Sequence, residues 1–434
     1  MILEMLAQFA PVILIVVFLL GMVIGLPITW ALGITTVVTV AIDPGITFAV
    51  VGQKLFSSAD NFAMLAVPGF FLAGDIMTAG GLSKKLVEFA DSLVGWVTGG
   101  ISLVAIVSCA FFAAISGSSA ATTAAIGGIM YPEMVKRGYP SDYSTAVQAV
   151  GGTLGIIIPP SIVFVIYGNI TGTSISQLLM AGVVPGVLCA AALCVLAYII
   201  ARRRSYEVDQ MFSWRGLGQS FLRSVFALLM PLIILGGIYA GICTPTESSA
   251  IACLYGAIVC FVAYHDLTFK SFCKVLESTA VSVSTLMLLV VTAQVVGFLF
   301  TYYSIPTTVA NFFLEHVASK TGFILITIAI MVLCGMFLDT SANNLILGPI
   351  FSPIAAMYGM DPVHFGLIFV FLLALGQATP PFGTCLFVSC TLNNDTFSDV
   401  VRESFPFMIT ELACIILFAF VPGLSTWLPG MMQG

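Results

Sequence analysis

The sequence predicts an all-α, polytopic membrane protein made of two inverted repeats, each holding a re-entrant helical hairpin and a broken helix. Three observations carry this: a composition that only lipid can solvate, two long apolar stretches interrupted by small polar residues, and a repeat at fixed offset. Hydrophobic residues fill 59% of the 434 positions and charged residues 8%, against about a quarter charged in a soluble domain. Lipid must therefore be the main solvent. At roughly 20 residues per span, positions 1–434 form one membrane domain of about ten to twelve crossings.

The net charge of −6 is spread over loops without a polybasic run, which argues against nucleic acid as a partner and leaves the lipid bilayer as the surroundings. The 11 cysteines contain no Cys-x-x-Cys pair and read as small apolar packing residues. His265, His316 and His364 fall in separate loop-like stretches, which argues against a His-based metal site or a long proton relay. The start, Met-Ile-Leu-Glu, lacks a positive n-region, and the apolar run from Pro11 to Ile42 is too long for a signal peptide; retained spans are expected there.

In chain order, hydropathy predicts spans near 3–23, 25–42, 60–80, 145–168, 180–200, 222–241, 246–264, 279–303, 363–388 and 406–428. Amphipathic connectors are expected at 82–97 and 304–320. The stretches 98–133 and 322–357 differ in kind, because each is broken midway: one by Ser116-Gly-Ser-Ser-Ala-Ala-Thr-Thr123, the other by Asp339-Thr-Ser-Ala-Asn-Asn344. Each half is short for a crossing, so re-entrant hairpins with tips near the midplane are predicted. Irregular backbone at that depth is tolerated only where it lines a protein cavity. Thr244-Pro-Thr-Glu247 reads as a capping box opening the 246–264 helix. Lys54, Asp60 and Asp75, near the third span, have no evident role in this pattern.

The repeat is explicit. Pro132 and Pro353, Gly138 and Gly359, and Pro159-Pro160 and Pro380-Pro381 are each separated by 221 positions, as are Gly127 and Gly348, and Gly155 and Gly376. The first repeat is placed at 1–205, with its hairpin at 98–133 and broken helix at 145–168. The second is placed at 222–434, with its hairpin at 322–357 and broken helix at 363–388. Lys136-Arg137 and Arg202-Arg203-Arg204 mark cytoplasmic loops. Five crossings separate the two hairpins, so the second enters from the opposite face. Inverted repeats with broken helices meeting at the midplane are an architecture of secondary transporters.

The double prolines carry the chemistry. A proline lacks the amide that would bond the carbonyl four residues earlier. Pro159 and Pro160 thus free the carbonyls of Gly155 and Ile156, and Pro380 and Pro381 those of Gly376 and Gln377. Ile158 and Thr379, each before the pair, are pushed out of helical geometry. Such oxygens suit a hard cation, and Na⁺ fits the pattern of broken-helix transporters. At the tips, Ser118, Ser119, Thr122 and Thr123 on one side and Ser341, Asn343 and Asn344 on the other could cradle an anion at helix N-termini. Asp339 is the acid beside a tip, a functional candidate and equally a helix cap.

These residues resemble a known family. Ser116-Gly-Ser-Ser-Ala-Ala-Thr-Thr-Ala-Ala-Ile-Gly127, Pro132-Glu-Met, Gly138-Tyr-Pro and Gly151-Gly-Thr-Leu-Gly-Ile-Ile-Ile-Pro-Pro-Ser161 are similar to the large, DctM-like membrane subunit of TRAP (tripartite ATP-independent periplasmic) transporters. So are Thr244-Pro-Thr-Glu247, Asp361-Pro-Val-His-Phe-Gly366 and Thr379-Pro-Pro-Phe-Gly383, and the likeness runs from about residue 60 onward. The resemblance implies an elevator-type ion transporter fold in the bacterial inner membrane and Na⁺-driven uptake of an organic acid anion, of the sialic acid or C4-dicarboxylate type. It implies two partners: a periplasmic substrate-binding protein that delivers the cargo, and a small four-helix membrane subunit, expected as a separate polypeptide. It also implies two Na⁺ sites, one with Gly155, Ile158 and Pro160 and one with Gly335, Gly376, Thr379 and Phe382, mainly through backbone oxygens. Repeat symmetry places Ala114 or Ser116 opposite Gly335, and Ser116 completes the first site.

Two other readings stand beside this one. A stand-alone Na⁺/di- or tricarboxylate carrier with the same inverted hairpins would work without a binding protein. An intramembrane hydrolase would use a serine of the Ser116–Ser119 cluster, but no intramembrane His or Lys is available as its base.

Overall fold

The computed structural model describes residues 9–206 and 211–431, and the start of the first expected span lies outside them. The described chain begins with α1 (Ala10–Val23), α2 (Ile28–Ile42), α3 (Phe48–Ala59) and α4 (Ala66–Ala79). The connector α5 (Leu82–Val94) leads into the first hairpin, α6 (Gly100–Ser116) and α7 (Ser119–Lys136). The first broken span is α8 (Ser141–Ile157) and α9 (Ile162–Thr171), followed by α10 (Ile175–Arg203). The second half contains α11 (Trp214–Tyr239), α12 (Pro245–Ile258), α13 (Phe269–Tyr302) and the connector α14 (Ile305–His316). Its hairpin is α15 (Lys320–Phe337) and α16 (Thr340–Met357). Its broken span is α17 (Pro362–Gln377) and α18 (Thr384–Asn393), and α19 (Phe397–Phe420) and α20 (Gly423–Gly430) close the order.

The 221-residue offset holds element by element. Adding it to α7 reproduces α16, and α5, α6 and α8 land within two residues of α14, α15 and α17. Packing is reciprocal as well: α7 lies against α18 and α16 against α9, while α8 lies against α19 and α17 against α10. The inversion follows from α10, whose 29 residues reach about 43 Å. Gly366 near the start of α17 lies against Leu178 near the start of α10, whereas Tyr143 near the start of α8 lies under the Arg204 guanidinium at α10's end. The two broken spans therefore begin at opposite ends of one helix. The loop after Lys136-Arg137 and the loop after Arg202–Arg204 share an end, since Tyr139 and Tyr206 pack at 4.0 Å between ring centroids.

Three expectations need correction. First, among the described residues seven helices are individually long and apolar enough to cross, or eight with α8–α9 as one bent span, by length and composition alone, fewer than the ten spans expected. The pairs of prolines cut two spans into short halves, and the turn at Gly25 leaves α1 and α2 with 14 and 15 described residues. Second, hydropathy passed over α3 and started α13 ten residues late, because Lys270, Lys274 and Glu277 mask a helical segment. Residues 48–79, broken at Asp60-Asn61, correspond to 269–300 inside the unbroken 34-residue α13. The break forms because Asn61 caps the next turn, accepting from the Ala63 amide at 3.0 Å; its counterparts Val281 and Ser282 offer the chain no comparable stop. Third, two of the histidines are helical. His316 ends α14, and His364 sits in the first turn of α17, buried, with Nδ1 2.7 Å from the Ser425 hydroxyl. The Thr244–Glu247 capping box forms as read.

Arm length alone does not make the hairpins re-entrant, because α15 qualifies as a crossing by itself. Tip position does. The Ile162 amide donates to the Gly117 carbonyl at 3.3 Å, which pins the first tip to the middle of its broken span. In the second hairpin the first arm meets its broken span just before the break: a Cβ on Gly335 would lie 2.9 Å from the Gly376 Cα.

A Cβ on Gly155 would lie 2.5 Å from the Ser118 carbonyl oxygen, so Gly155→Ala should lower stability by about 1–3 kcal/mol, the usual cost of overpacking. Gly128, in α7, has nothing within 4 Å. Gly128→Ala should be neutral or raise stability by up to about 1 kcal/mol through helix propensity. Thermal unfolding of the two purified variants in detergent checks the pair.

Candidate functional site

The first tip is a turn between two helices aimed into the protein. Gly117 ends α6 at φ +62°, a left-handed conformation that a Cβ disfavours. Ser118 caps α7, its hydroxyl accepting from the Ala121 amide at 3.4 Å. Ser116 and Thr122 hydroxyls meet at 2.8 Å, and Thr122 also donates to the Ser118 carbonyl at 2.8 Å. Ser119 donates to the Thr153 carbonyl on α8 at 3.2 Å. The turn is thus braced from within and tied to the broken span.

The second tip repeats the plan with an acid. Asp339 caps α16 by accepting from the Ser341 amide at 2.9 Å. Asn343 donates back to the Leu338 carbonyl at 3.3 Å, and Asn344 reaches across to the Val163 carbonyl of α9 at 3.0 Å. Asn344 therefore ties the second hairpin to the first broken span.

Between the tips lies a cavity of about 180 Å³. Gly117, Ser118 and Ser119 line it from one hairpin, and Asp339, Thr340 and Ser341 from the other. Of the expected anion-cradling residues, Ser118, Ser119, Asp339 and Ser341 are brought together here. Thr122, Thr123, Asn343 and Asn344 are buried behind the tips as braces instead. Sequence reading named only the carbonyl of Gln377, not its side chain, which donates to Thr340 at 2.7 Å, and it passed over Thr340 as well as Phe71 and Leu286, which close the cavity from α4 and α13. The repeat held a signal for Gln377, as it adjoins the Pro-Pro break. Phe71 and Leu286 carried none.

The two breaks are similar but not equal. At the first, Ile158 is extended (φ −83°, ψ 123°), and α8 and α9 meet at 43°. The positions that would pair with the Gly155 and Ile156 carbonyls are prolines, so those oxygens keep no helical amide. The Pro160 carbonyl points at the tip, 2.6 Å from where a Gly117 Cβ would stand. Gly155 thus lies against Ser118 and the Pro160 carbonyl against Gly117, so the first tip meets the break on both sides, with the Ser116 hydroxyl held by Thr122. At the second break, the expectation that Pro380 strips the Gly376 carbonyl is not met: the Thr379 amide folds back to it at 3.1 Å. The Thr379 carbonyl accepts from Gly383 at 3.0 Å, and its hydroxyl donates to Leu375 at 2.7 Å. Removing the fourth-residue amide let a tighter turn take its place. Each of these carbonyls keeps a second lone pair, and Gly335 abuts Gly376, while the Phe382 ring is half exposed on the outer side.

The residues without a sequence-level account also find places. The Lys54 ammonium lies 5.0 Å from the Phe298 ring centroid, and Asp75 accepts from the Thr279 hydroxyl at 2.5 Å. Both contacts tie the first half's helices to α13, while Asp60 ends α3. The sequence reading passed over Glu411, a carboxylate in the apolar span it placed at 406–428; a lone acid in such a span was the available signal.

Residues 15–424 match the family model described as "Tripartite ATP-independent periplasmic transporter, DctM component". The chain is 37% identical to the C4-dicarboxylate TRAP transporter large permease protein DctM of Pseudomonas aeruginosa, over 93% of this chain and 94% of that one. It is also 37% identical to the 2,3-diketo-L-gulonate TRAP transporter large permease protein YiaN of Escherichia coli, over 93% and 95%. With the isethionate TRAP transporter permease protein DctMQ of Oleidesulfovibrio alaskensis it shares 38% identity, over 95% of this chain and 65% of that one. Among solved structures, the YdaH transporter of Alcanivorax borkumensis superposes with a TM-score of 0.57 at 17% identity, over 87% of this chain and 88% of that one, a likeness of fold.

Asp339 has two separable roles, cap and charge. Asp339→Asn should keep the cap and alter thermal stability by less than about 0.5 kcal/mol, whereas Asp339→Ala should cost about 1 kcal/mol. Thermal unfolding of both variants distinguishes the roles.

Proposed function

Since this chain belongs to the DctM component family of tripartite ATP-independent periplasmic transporters and is a multi-pass permease of the bacterial inner membrane, we propose that it imports a small organic acid anion coupled to Na⁺. The observation that carries this reading is the cavity faced by two capped helix starts, α7 and α16. Unpaired amides at a helix N-terminus attract negative charge, and two such ends on one cavity make an anion seat. The Ser118, Ser119 and Ser341 hydroxyls add donors. Asp339 serves a hydroxyl or amine of the cargo, since a second carboxylate would be repelled.

Na⁺ occupies the two breaks in this reading: Ser116, Gly155, Ile158 and Pro160 hold one ion, and Gly335, Gly376, Thr379 and Phe382 the other. Each site joins a hairpin to a break, so a bound cation fixes its tip beside the cavity and lowers the cost of admitting an anion. The first site has the more open oxygens and is proposed as the tighter of the two. The fold class supports an elevator movement, in which the hairpins and broken spans carry cargo and ions together past an outer group that includes α2, α4, α11, α12 and α13. Uptake requires a periplasmic substrate-binding protein and a small membrane subunit. The relative named DctMQ, about a third of whose length lies outside the matched region, supports a small subunit that acts beside this chain.

Two outcomes test the reading. Thr379→Ala and Ser116→Ala should each cut Na⁺-dependent uptake at least about tenfold, equivalent to about 1.4 kcal/mol, with unchanged expression; proteoliposome uptake with normal Na⁺ dependence would sink the assignment. Uptake should also vanish when the binding protein is left out. Full activity of this chain alone would make it a stand-alone carrier.

A further inference from the structure

A second constellation lies behind the first tip, away from the cavity. Glu411 is halfway along α19 and 2% exposed, and no other carboxylate among the described residues is buried so completely. Its Oε1 contacts the Thr153 hydroxyl of α8, and its Oε2 has no hydrogen-bond partner. The Thr153 hydroxyl also lies 2.6 Å from the Val150 carbonyl oxygen. A carbonyl only accepts, and a threonine hydroxyl has one hydrogen to give. Once that hydrogen goes to Val150, the contact between Thr153 and Glu411 brings two oxygens together with no hydrogen of its own. An ionised carboxylate would set a negative charge against lone pairs in an apolar wall. A carboxylic acid supplies the missing hydrogen.

The neighbours supply no positive charge to replace it. Cys189 of α10, Cys385 of α18 and Cys414 of α19 face Glu411. Elsewhere on the packed elements, Arg204 is engaged by Glu403, Tyr143 packs at the level of Phe407, and His364 of α17 bonds at Ala419. Nor does the pocket suit Na⁺, because the side chains that face the carboxylate are one hydroxyl and three thiols, and sulfur is a poor partner for a hard cation.

We propose that Glu411 is a proton-binding site in the membrane core, holding its proton as a neutral acid that donates to the Thr153 hydroxyl. The step is simple ionisation: the carboxylate takes up one proton from water and releases one to it. Because the Thr153 carbonyl receives the Ser119 hydroxyl, loss of that proton would place a bare charge directly behind the first tip. The site is independent of which ion drives uptake.

Infrared difference spectroscopy tests it on the full transporter, with its partners, in liposomes. Wild type minus Glu411→Gln at neutral pH should show the carbonyl stretch of a protonated acid, shifted in D₂O, lost at strongly alkaline pH and unchanged by saturating Na⁺. Thr153→Val, which removes the acceptor, should move that band to higher frequency, and this reads the same group if Glu411→Gln fails to fold. A carboxylate signature at neutral pH, an acid band that Na⁺ abolishes at constant pH, or no shift in Thr153→Val overturns the proposal.

Discussion

Everything in this protein turns on the need to satisfy backbone polar groups where no water reaches. A helix in lipid answers its own carbonyls, and this chain breaks two helices at mid-depth with paired prolines. The cost is met by bringing a hairpin tip to each break. Gly117 accepts the first amide of the helix after one break, and Gly335 abuts the helix before the other. The tips must be narrow to fit, which accounts for their run of glycine, serine, alanine and asparagine. They must also be capped, which accounts for Ser118 and Asp339. The cavity between them is what remains when two capped turns meet.

The two repeats share this plan but not its details. One break leaves two carbonyls without a helical amide, and the other folds the equivalent backbone into a tight turn through Thr379. One tip is capped by a hydroxyl and the other by a carboxylate. Such differences give a two-fold scaffold an asymmetric cavity, as the proposed uptake of an asymmetric anion would require. Asn344, reaching from the second hairpin to Val163 of the first half, makes the halves one unit.

Much of this was legible in the sequence because punctuation in lipid is unambiguous. Pro-Pro, the tip glycines and the 221-residue offset mark breaks, turns and repeats whatever the surroundings. The cavity-facing residues were half legible: Ser118 and Asp339 could be placed because caps sit at helix starts, but helical rotation decided that Thr122 and Asn344 turn inward to brace. Phe71, Leu286 and the extent of α13 were not legible. The first two depend on packing between distant segments, and the third on lysines that hydropathy penalises though they are good helix formers. Glu411 escaped notice because its setting depends on Thr153, 258 positions away.

The mismatch between residues 48–79 and 269–300 has a mechanical meaning. Thirty-four unbroken residues in α13 make a rod of about 51 Å, well beyond the ~30 Å of hydrocarbon, so it must lean or stand proud of the bilayer. Its counterpart has a joint at Asp60-Asn61, and across that joint Asn61 donates to Asn169 at the end of α9. The frame therefore has a stiff strut on one flank and an articulated one on the other. In the proposed elevator movement, force from the core would meet resistance on one side and a knee on the other, giving a nearly two-fold machine a handle by which to tell its front from its back.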